Sequence, residues 1–414
     1  MRIAIVSESF PPDVNGVAHS TLRMAEHLVR AGHEPLVIAP QPAAGAAGAA
    51  GPFPCPVVRV QSVPVPGYSG FRVGLRGRTV RAALARHRAE IVHLASPFVL
   101  GARGAAAARR LGLPVLAVYQ TDVPSYARVY GLGKPGEAIA WWWVRHIHNA
   151  AVANLAPSTA SAATLAAHGV NRVGVWGRGV DTVRFDPARR SARLRAGLVP
   201  GGEVLAGYVG RLAAEKRIDL LDQITALPGV RLVIVGGGPA AAELRRALPD
   251  AVFLGPKYGT ELAEIYASLD VFVHAGPCDT FGQTLQEAAA SGLPVIAPAA
   301  GGPLDLVREG QTGHLVPPGD AGAIAAAVAR LAADEGLRAA MGRAGRSMVL
   351  GRTWAACGDV LIGHYQAVLA QARGPRPEDP AAGRRAAAGD GLVPGEPEGE
   401  GAGTVRQRWA GVLG

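Results

Sequence analysis

The sequence predicts an α/β protein made of two doubly wound domains with a cleft between them. Two observations carry the prediction. Short apolar runs of strand length alternate with helical patterns along nearly the whole chain, the arrangement that builds parallel sheets covered by helices on both faces. The alternation also halts at a basic stretch over 188–197, "ARRSARLRAG", and then restarts, so there are two series.

The first series opens at "RIAIVSES", followed by a helical pattern over 17–31. "EPLVIAP" comes next, then "IVHLAS" with a helix over 100–112, "LPVLAVYQT", and "AVANLAPS" with a helix over 159–168. The second runs "EVLAGYVG" with 216–227, "VRLVIVGGG" with 240–248 and "AVFLG" with 260–268. It continues with "LDVFVHAG" and 280–290, "LPVIAPA" and 304–309, and "GHLVPPGD" and 321–334. These bounds place a first domain over 1–190 and a second over 198–352. A helical pattern, "TWAACGDVLIGHYQAVLAQ", closes the ordered part within 353–372. Residues 373–414, rich in Pro, Gly, Ala and charge through 404, read as a disordered tail.

Composition narrows the classes. The 414 residues suffice for two cores, and 49% hydrophobic content comes without an apolar stretch of membrane-spanning length. The N-terminus goes straight into a buried strand with no signal layout, so a cytoplasmic protein is expected. Cys55, Cys278 and Cys357, odd in number and widely spaced, offer neither a disulfide framework nor metal-ligand spacing. A net charge of +10 fits either an arginine-rich composition or an anionic partner.

In such folds ligands bind beyond the carboxyl ends of the strands, against helix N-termini, and every candidate lies at such a place. Gly16, in "SESFPPDVNGVAHS", lets the backbone approach a phosphate closely. Arg211 and Lys216, in "YVGRLAAEKRIDLL", follow the first strand of the second domain. There an arginine fork and a compact ammonium suit a diphosphate. Gly236-Gly237-Gly238 does not match the dinucleotide pattern G-x-G-x-x-G, and no Walker sequence occurs.

The richest stretch is "HAGPCDTFGQTLQEAAASGLPVIAP", residues 274–298. Phe281, Leu285, Ala288 and Ala289 fall on one helical face, and Thr280 with Gln283 resembles a capping box. Gly282 leaves the first turn open, so its amides favour an anion. Asp279 stands at the helix mouth and Glu287 two turns further on. Two carboxylates that accept pairs of sugar hydroxyls, with amides, Arg211 and Lys216 between them, describe a nucleotide-sugar. The hexose falls at Asp279 and the ribose at Glu287.

This order of motifs resembles the retaining glycosyltransferases of family 4. The resemblance covers about residues 1–371 and rests on Asp279…Glu287 in "DTFGQTLQEAAASGLPVIAPAAGGPLDLV" and on "GRLAAEKRID". "PPDVNGVA", "WGRGVD" (176–181) and "EIYASLDVFV" add to it. It implies the GT-B fold, two Rossmann-like domains facing a cleft with a C-terminal helix crossing back to the N-terminal one. Within the family the chain is similar to bacterial mannosyltransferases that use GDP-mannose and act on glycolipid acceptors.

The resemblance also implies residue roles. Gly16 faces the sugar phosphates, Arg211 and Lys216 bind the diphosphate, Asp279 holds the hexose, Phe281 and Gly282 offer backbone groups, and Glu287 holds the ribose. Asp279 stands where most members carry Glu, one methylene longer. Gln120 stands where many carry histidine, which makes Asp122 the candidate for orienting the acceptor. His93 and His274 read as structural. No cofactor and no metal is expected, since no Asp-x-Asp occurs.

Residues 66–89 carry Arg72, Arg76, Arg78, Arg81, Arg86 and Arg88 with Tyr68, Phe71, Val73 and Leu75 and no acidic residue. Trp141, Trp142 and Trp143 lie beside Arg145 and His146. Tryptophan favours the membrane interface and arginine anionic headgroups, so peripheral docking on the inner membrane face is expected, to reach a glycolipid or lipid-linked acceptor. No nucleic-acid-binding motif occurs. The rivals are a non-catalytic nucleotide-sugar-binding protein, a transferase using a UDP-sugar and a soluble acceptor, and an epimerase or phosphorylase.

Overall fold

A computed structural model describes residues 1–43, 52–64, 72–74, 77–96, 98–129 and 131–373. Tyr68, Phe71, Leu75 and Arg76 of the basic segment, and the expected tail from 374 on, lie outside the described residues.

Fifteen short strands are described. The N-terminal half has β1 (Arg2–Val6), β2 (Glu34–Pro40), β3 (Val57–Val60), β4 (Ser62–Pro64), β5 (Arg72–Gly74), β6 (Ile91–Leu94), β7 (Val115–Val118), β8 (Ala153–Ala156) and β9 (Val173–Val175). The C-terminal half has β10 (Val204–Val209), β11 (Val230–Val235), β12 (Val252–Gly255), β13 (Val271–Val273), β14 (Val295–Pro298) and β15 (Gly313–Val316). Two parallel sheets result, ordered β3-β2-β1-β6-β7-β8-β9 and β12-β11-β10-β13-β14-β15, while β4 and β5 form a separate antiparallel pair. The chain steps outward from β1, then returns to its other side at β6; it does the same at β10 and β13. Each reversal opens a crevice at the strands' carboxyl ends. The stretches after β1, β10 and β13 are "SESFPPDVNG", "GRLAAEK" and "HAGPCDTFG", so topology delivers the three motifs to those crevices.

Each sheet is buried on both faces. Ile3, Ile5, Met24 and Leu28 pack on one side of the first sheet, and Ala4, Val6, Leu84 and Leu100 on the other. Leu205, Val233 and Phe272 point to one face of the second, and Ala206, Leu232 and Val271 to the other. The helix Trp354–Arg373 returns to the N-terminal half, where Trp354, Leu361, Tyr365 and Val368 join the cluster of Ile3 and Ile5. Just before it, Thr353 pairs with Val180, so the outgoing and returning chains run side by side.

Three expectations change. β3 and β9 carry no fully buried run and are edge strands, which explains why their sequences look unremarkable. The helix expected over 216–227 is instead two 3-10 turns, Ala214–Lys216 and Ile218–Leu221, and a four-residue helix, Asp222–Thr225. Ile218, Leu221 and Ile224 are buried at a spacing of three, the 3-10 period, and Arg217 breaks the run at φ 47°. Lys216 therefore ends a turn and does not start a helix. The segment expected over 304–309 is only the short helix Pro303–Leu306.

Candidate active site

The loops after β10 and β13 meet backbone to backbone at Gly276, where a Cβ would lie 3.0 Å from Lys216 Cα. That approach lets Lys216 Nζ donate to Asp279 Oδ1. On the other side His274 Nε2 lies 2.8 Å from Asp279 Oδ2. Burial alone would raise the Asp279 carboxyl, but Lys216 and His274 outweigh it and hold it well below the usual carboxylate range. Burial would lower the Lys216 ammonium, and Asp279 raises it above its ordinary value. Both groups are charged at neutral pH. His274, read as structural from sequence, is buried but touches the site. Arg211 Nη1 stands 3.8 Å from the buried Glu215.

The helix carrying the second carboxylate is Gln283–Ala290, three residues shorter at its start than expected. Gly282 adopts φ 95° and delays the first turn, so Thr280 is not the N-cap and no capping box forms. Thr280 Oγ1 donates instead to the Gln120 carbonyl at 3.2 Å, and Gln283 Nε2 to the Gly179 carbonyl at 3.1 Å. No side chain caps this first turn. Phe281, Leu285, Ala288 and Ala289 are buried, as the periodicity requires. Glu287 is largely buried too: the Tyr266 hydroxyl donates to its Oε2 at 3.2 Å. Burial pushes its carboxyl up to about 7, while the hydrogen bonds of Tyr266 and Gln283 pull the other way.

On the N-terminal side Gly16 opens the helix Gly16–Arg30, and Asn15 caps it by accepting from the amides of Val17 and Ala18. Gln120 donates to the Ala95 carbonyl at 3.0 Å and accepts from Arg178 Nη2 at 2.7 Å. Arg178 Nη1 lies 3.4 Å from the Gly16 carbonyl. Asp122 Oδ1 accepts from the Tyr119 hydroxyl at 2.9 Å and the Ser125 amide at 3.1 Å, inside the turn that begins the helix Val123–Val129. His93 is buried, its Nδ1 2.5 Å from the Tyr365 hydroxyl, and burial pushes it down to about 3. It ties the returning helix to β6, a structural task.

The sequence candidates thus form two clusters. Lys216, Asp279 and His274 make one; Gly16, Gln120 and Arg178 make the other, with the Thr280–Gln120 hydrogen bond between the two halves. Glu287 stands apart with Tyr266. Sequence reading used Arg178 only as a letter of "WGRGVD"; its signal is an arginine between two glycines at the end of a strand series.

Residues 14–184 match the family described as Glycosyltransferase Family 4, and residues 191–348 match Glycosyl transferases group 1. The chain is 49% identical to a GDP-mannose-dependent alpha-mannosyltransferase of Mycobacterium tuberculosis over 89% of this chain and 97% of that one. The chain belongs to glycosyltransferase family 4. It is 48% identical to a protein of the same name from Mycolicibacterium smegmatis, over 89% of this chain and 98% of that one. In fold it resembles sucrose-phosphate synthase from Thermosynechococcus elongatus, with a TM-score of 0.76 at 22% identity over 89% of this chain and 99% of that one. Anabaena HepE in complex with UDP and glucose superposes with a TM-score of 0.72 at 20% identity, again over 89% and 99%. Both likenesses match the GT-B arrangement of two Rossmann-like halves.

The surface of this glycosyltransferase expected to meet a membrane changes in detail. Trp141 is buried and stacked on His168, with ring centroids 3.6 Å apart, and Trp143 packs against the core. Trp142 is exposed, beside exposed Leu132 and Ile139 on the same helix and its approach. Arg72 is half-buried and spends its guanidinium on the Gln41 carbonyl and on Ser62, closing the β4–β5 pair. Val73 is buried. Arg78, Arg81, Arg86 and Arg88 are exposed. Among the described residues, no helix is long and apolar enough to cross a membrane.

Proposed function

We propose that this glycosyltransferase moves mannose from GDP-mannose, with retention, to a glycolipid or lipid-linked acceptor. One observation carries the reading: near-half identity to proteins named GDP-mannose-dependent alpha-mannosyltransferases runs through both halves of the chain. The Lys216–Asp279 pair and the partly buried Glu287 support it, because a non-catalytic relative has no need of either. Asp279 holds the hexose hydroxyls, Lys216 and Arg211 the diphosphate, and Glu287 the ribose. Gly16, Phe281 and Gly282 bring backbone groups to the phosphates and sugar, and Asp122 orients the acceptor. We assign the acceptor to a first domain over 1–190 and the donor to a second over 198–352. In the retaining step the departing diphosphate takes the acceptor's proton. The protein contributes by holding both substrates and stabilising charge on the leaving phosphate.

The test is product analysis with GDP-mannose, UDP-glucose and UDP-galactose as donors and extracted polar lipids as acceptors. Mannose appearing on a lipid with the α configuration supports the reading. Turnover of a UDP-sugar alone would replace the donor, transfer to a soluble sugar alone would replace the acceptor, and no turnover would leave a binding protein.

Lys216 and Arg211 supply the positive charge that a cation would otherwise bring to the diphosphate. Activity is therefore expected to survive EDTA, and complete loss restored by magnesium or manganese would remove this assignment.

Peripheral docking on an anionic membrane face is supported by exposed Trp142, Leu132 and Ile139 and by Arg78, Arg81, Arg86 and Arg88. Each basic side chain near such a surface contributes on the order of 1 kcal/mol. The chain is expected to sediment with anionic but not neutral vesicles at low salt. Trp142→Ser combined with Arg78, Arg81 and Arg86→Ser should release it; equal partitioning onto neutral vesicles would discard the docking surface.

A further inference from the structure

Arg178 is 7% exposed, and its two identified hydrogen-bond acceptors are neutral, the Gln120 side-chain oxygen and the Gly16 carbonyl. Among the described residues no carboxylate lies within ion-pair distance of it. Burial pushes its guanidinium down to about 10, and the charge that acts against this is Asp279 across the junction. A buried cation without a partner anion is costly, so structural arginines are normally ion-paired when enclosed. Two of its five N–H groups are occupied, leaving three for an incoming acceptor.

The surroundings hold it in that unpaired state. A Cβ at Gly16 would lie 3.0 Å from Nη1, so glycine lets the helix backbone and the guanidinium pack closely here. Gln286 Nε2 donates to the Arg178 carbonyl at 2.9 Å and Gln283 Nε2 to the Gly179 carbonyl at 3.1 Å. Two side chains of the C-terminal half therefore grip the backbone that carries this N-terminal cation. Thr280, next to Asp279, is bonded to the Gln120 carbonyl.

We propose that Arg178 is a catalytic residue whose guanidinium, aimed by Gln120 and packed against Gly16, binds the leaving phosphate of the nucleotide-sugar from the N-terminal side. This rests on the transferase reading above. In the step, the bond between the anomeric carbon and the phosphate oxygen breaks, with its electron pair passing to that oxygen. A bond forms from the acceptor hydroxyl oxygen to the same carbon, and the hydroxyl proton passes to the phosphate. Negative charge peaks on the phosphate before the proton arrives, and a fixed cation there is worth most at that moment. Gln120 acts as the positioning residue that fixes the fork without titrating.

The experiment compares Arg178→Gln, which keeps a hydrogen-bonding side chain without charge, with Arg178→Lys, which keeps the charge without the fork. Thermal melts check folding, titration measures affinity for bare GDP, and turnover is measured at saturating GDP-mannose. Arg178→Gln is expected to lower kcat by about a hundredfold with GDP affinity changed less than about threefold, and Arg178→Lys to fall between it and the parent. Millimolar guanidinium, but not urea, should partly restore Arg178→Ala. Equal kcat for the Lys and Gln variants, a kcat loss that merely tracks the melting temperature, or no rescue by guanidinium would overturn the assignment. Failure of the parent to turn over any nucleotide-sugar would instead count against the transferase reading.

Discussion

Lys216→Ala is expected to lower sugar transfer by about a hundred- to a thousandfold, the loss seen when one group stabilising a developing oxyanion is removed. It is also expected to destabilise the fold, and the two effects separate. The ammonium bonds Asp279, and both side chains are mostly enclosed. Removing the cation leaves the enclosed Asp279 carboxylate without its ammonium, with the His274 ring 2.8 Å away, at a cost of about 2–4 kcal/mol. The double variant Lys216→Met with Asp279→Asn removes both charges, so it should recover much of the stability and none of the activity. Urea melts and turnover assays on the three proteins check this. Recovery of activity in the double variant would show that the ammonium serves only to neutralise Asp279. The pH dependence follows from the depressed carboxyl. Its stabilising contribution is complete above the ordinary aspartate range and is lost as pH falls through the lower folded value. The stability gap between parent and Lys216→Ala should therefore narrow in acid.

Glu287→Gln is expected to make the protein more stable and a poorer binder. The folded carboxyl titrates near 7 and the unfolded one near 4.5, because burial disfavours the charged form. Between those values the folded chain keeps a proton that the unfolded chain has lost, so stability falls as pH rises through this window and is level above it. The full shift corresponds to about 3 kcal/mol; with residual solvent contact, about 1–2 kcal/mol is expected. Glutamine keeps the Tyr266 hydrogen bond and carries no charge. Its variant should match the parent near pH 4 and exceed it by that amount at pH 8. Binding runs the other way. In the proposed donor pose an ionised Glu287 accepts two ribose hydroxyls, and charge-assisted bonds of this kind contribute about 1.5–3 kcal/mol, roughly a ten- to hundredfold in affinity. GDP-mannose has no phosphate proton that titrates here, so parent affinity should rise through pH 7 while the variant stays weak and flat. Calorimetric titrations at pH 6, 7 and 8 check both trends. A parallel rise in the variant would assign the titration to another group.

Asp279 is held charged, whereas Glu287 is held near its titration point. Asp279 has an ammonium on one oxygen and the His274 ring nitrogen beside the other, whereas Glu287 has a phenol. Sequence spacing sees two acidic residues eight apart and cannot distinguish them. Their difference comes from Lys216, His274 and Tyr266, which are distant in the chain.

The alternation of strand and helix, the two series, and the strand-to-helix junctions that carry Gly16, Lys216, Asp279 and Glu287 are legible in the sequence. These are local properties, since apolar runs and glycine turns act over a few residues whatever surrounds them. The apolar face Phe281, Leu285, Ala288 and Ala289 was legible for the same reason. Where Gly282 took a left-handed conformation, or Ile218, Leu221 and Ile224 adopted a spacing of three, the local pattern had a second solution, and tertiary packing chose it. Only the tertiary structure decided that Arg178 is a buried, unpaired cation and that Arg72 and two of the three tryptophans serve the fold. Burial and charge pairing depend on what the other half of the chain brings to within a few ångströms. No stretch of sequence carries that information on its own.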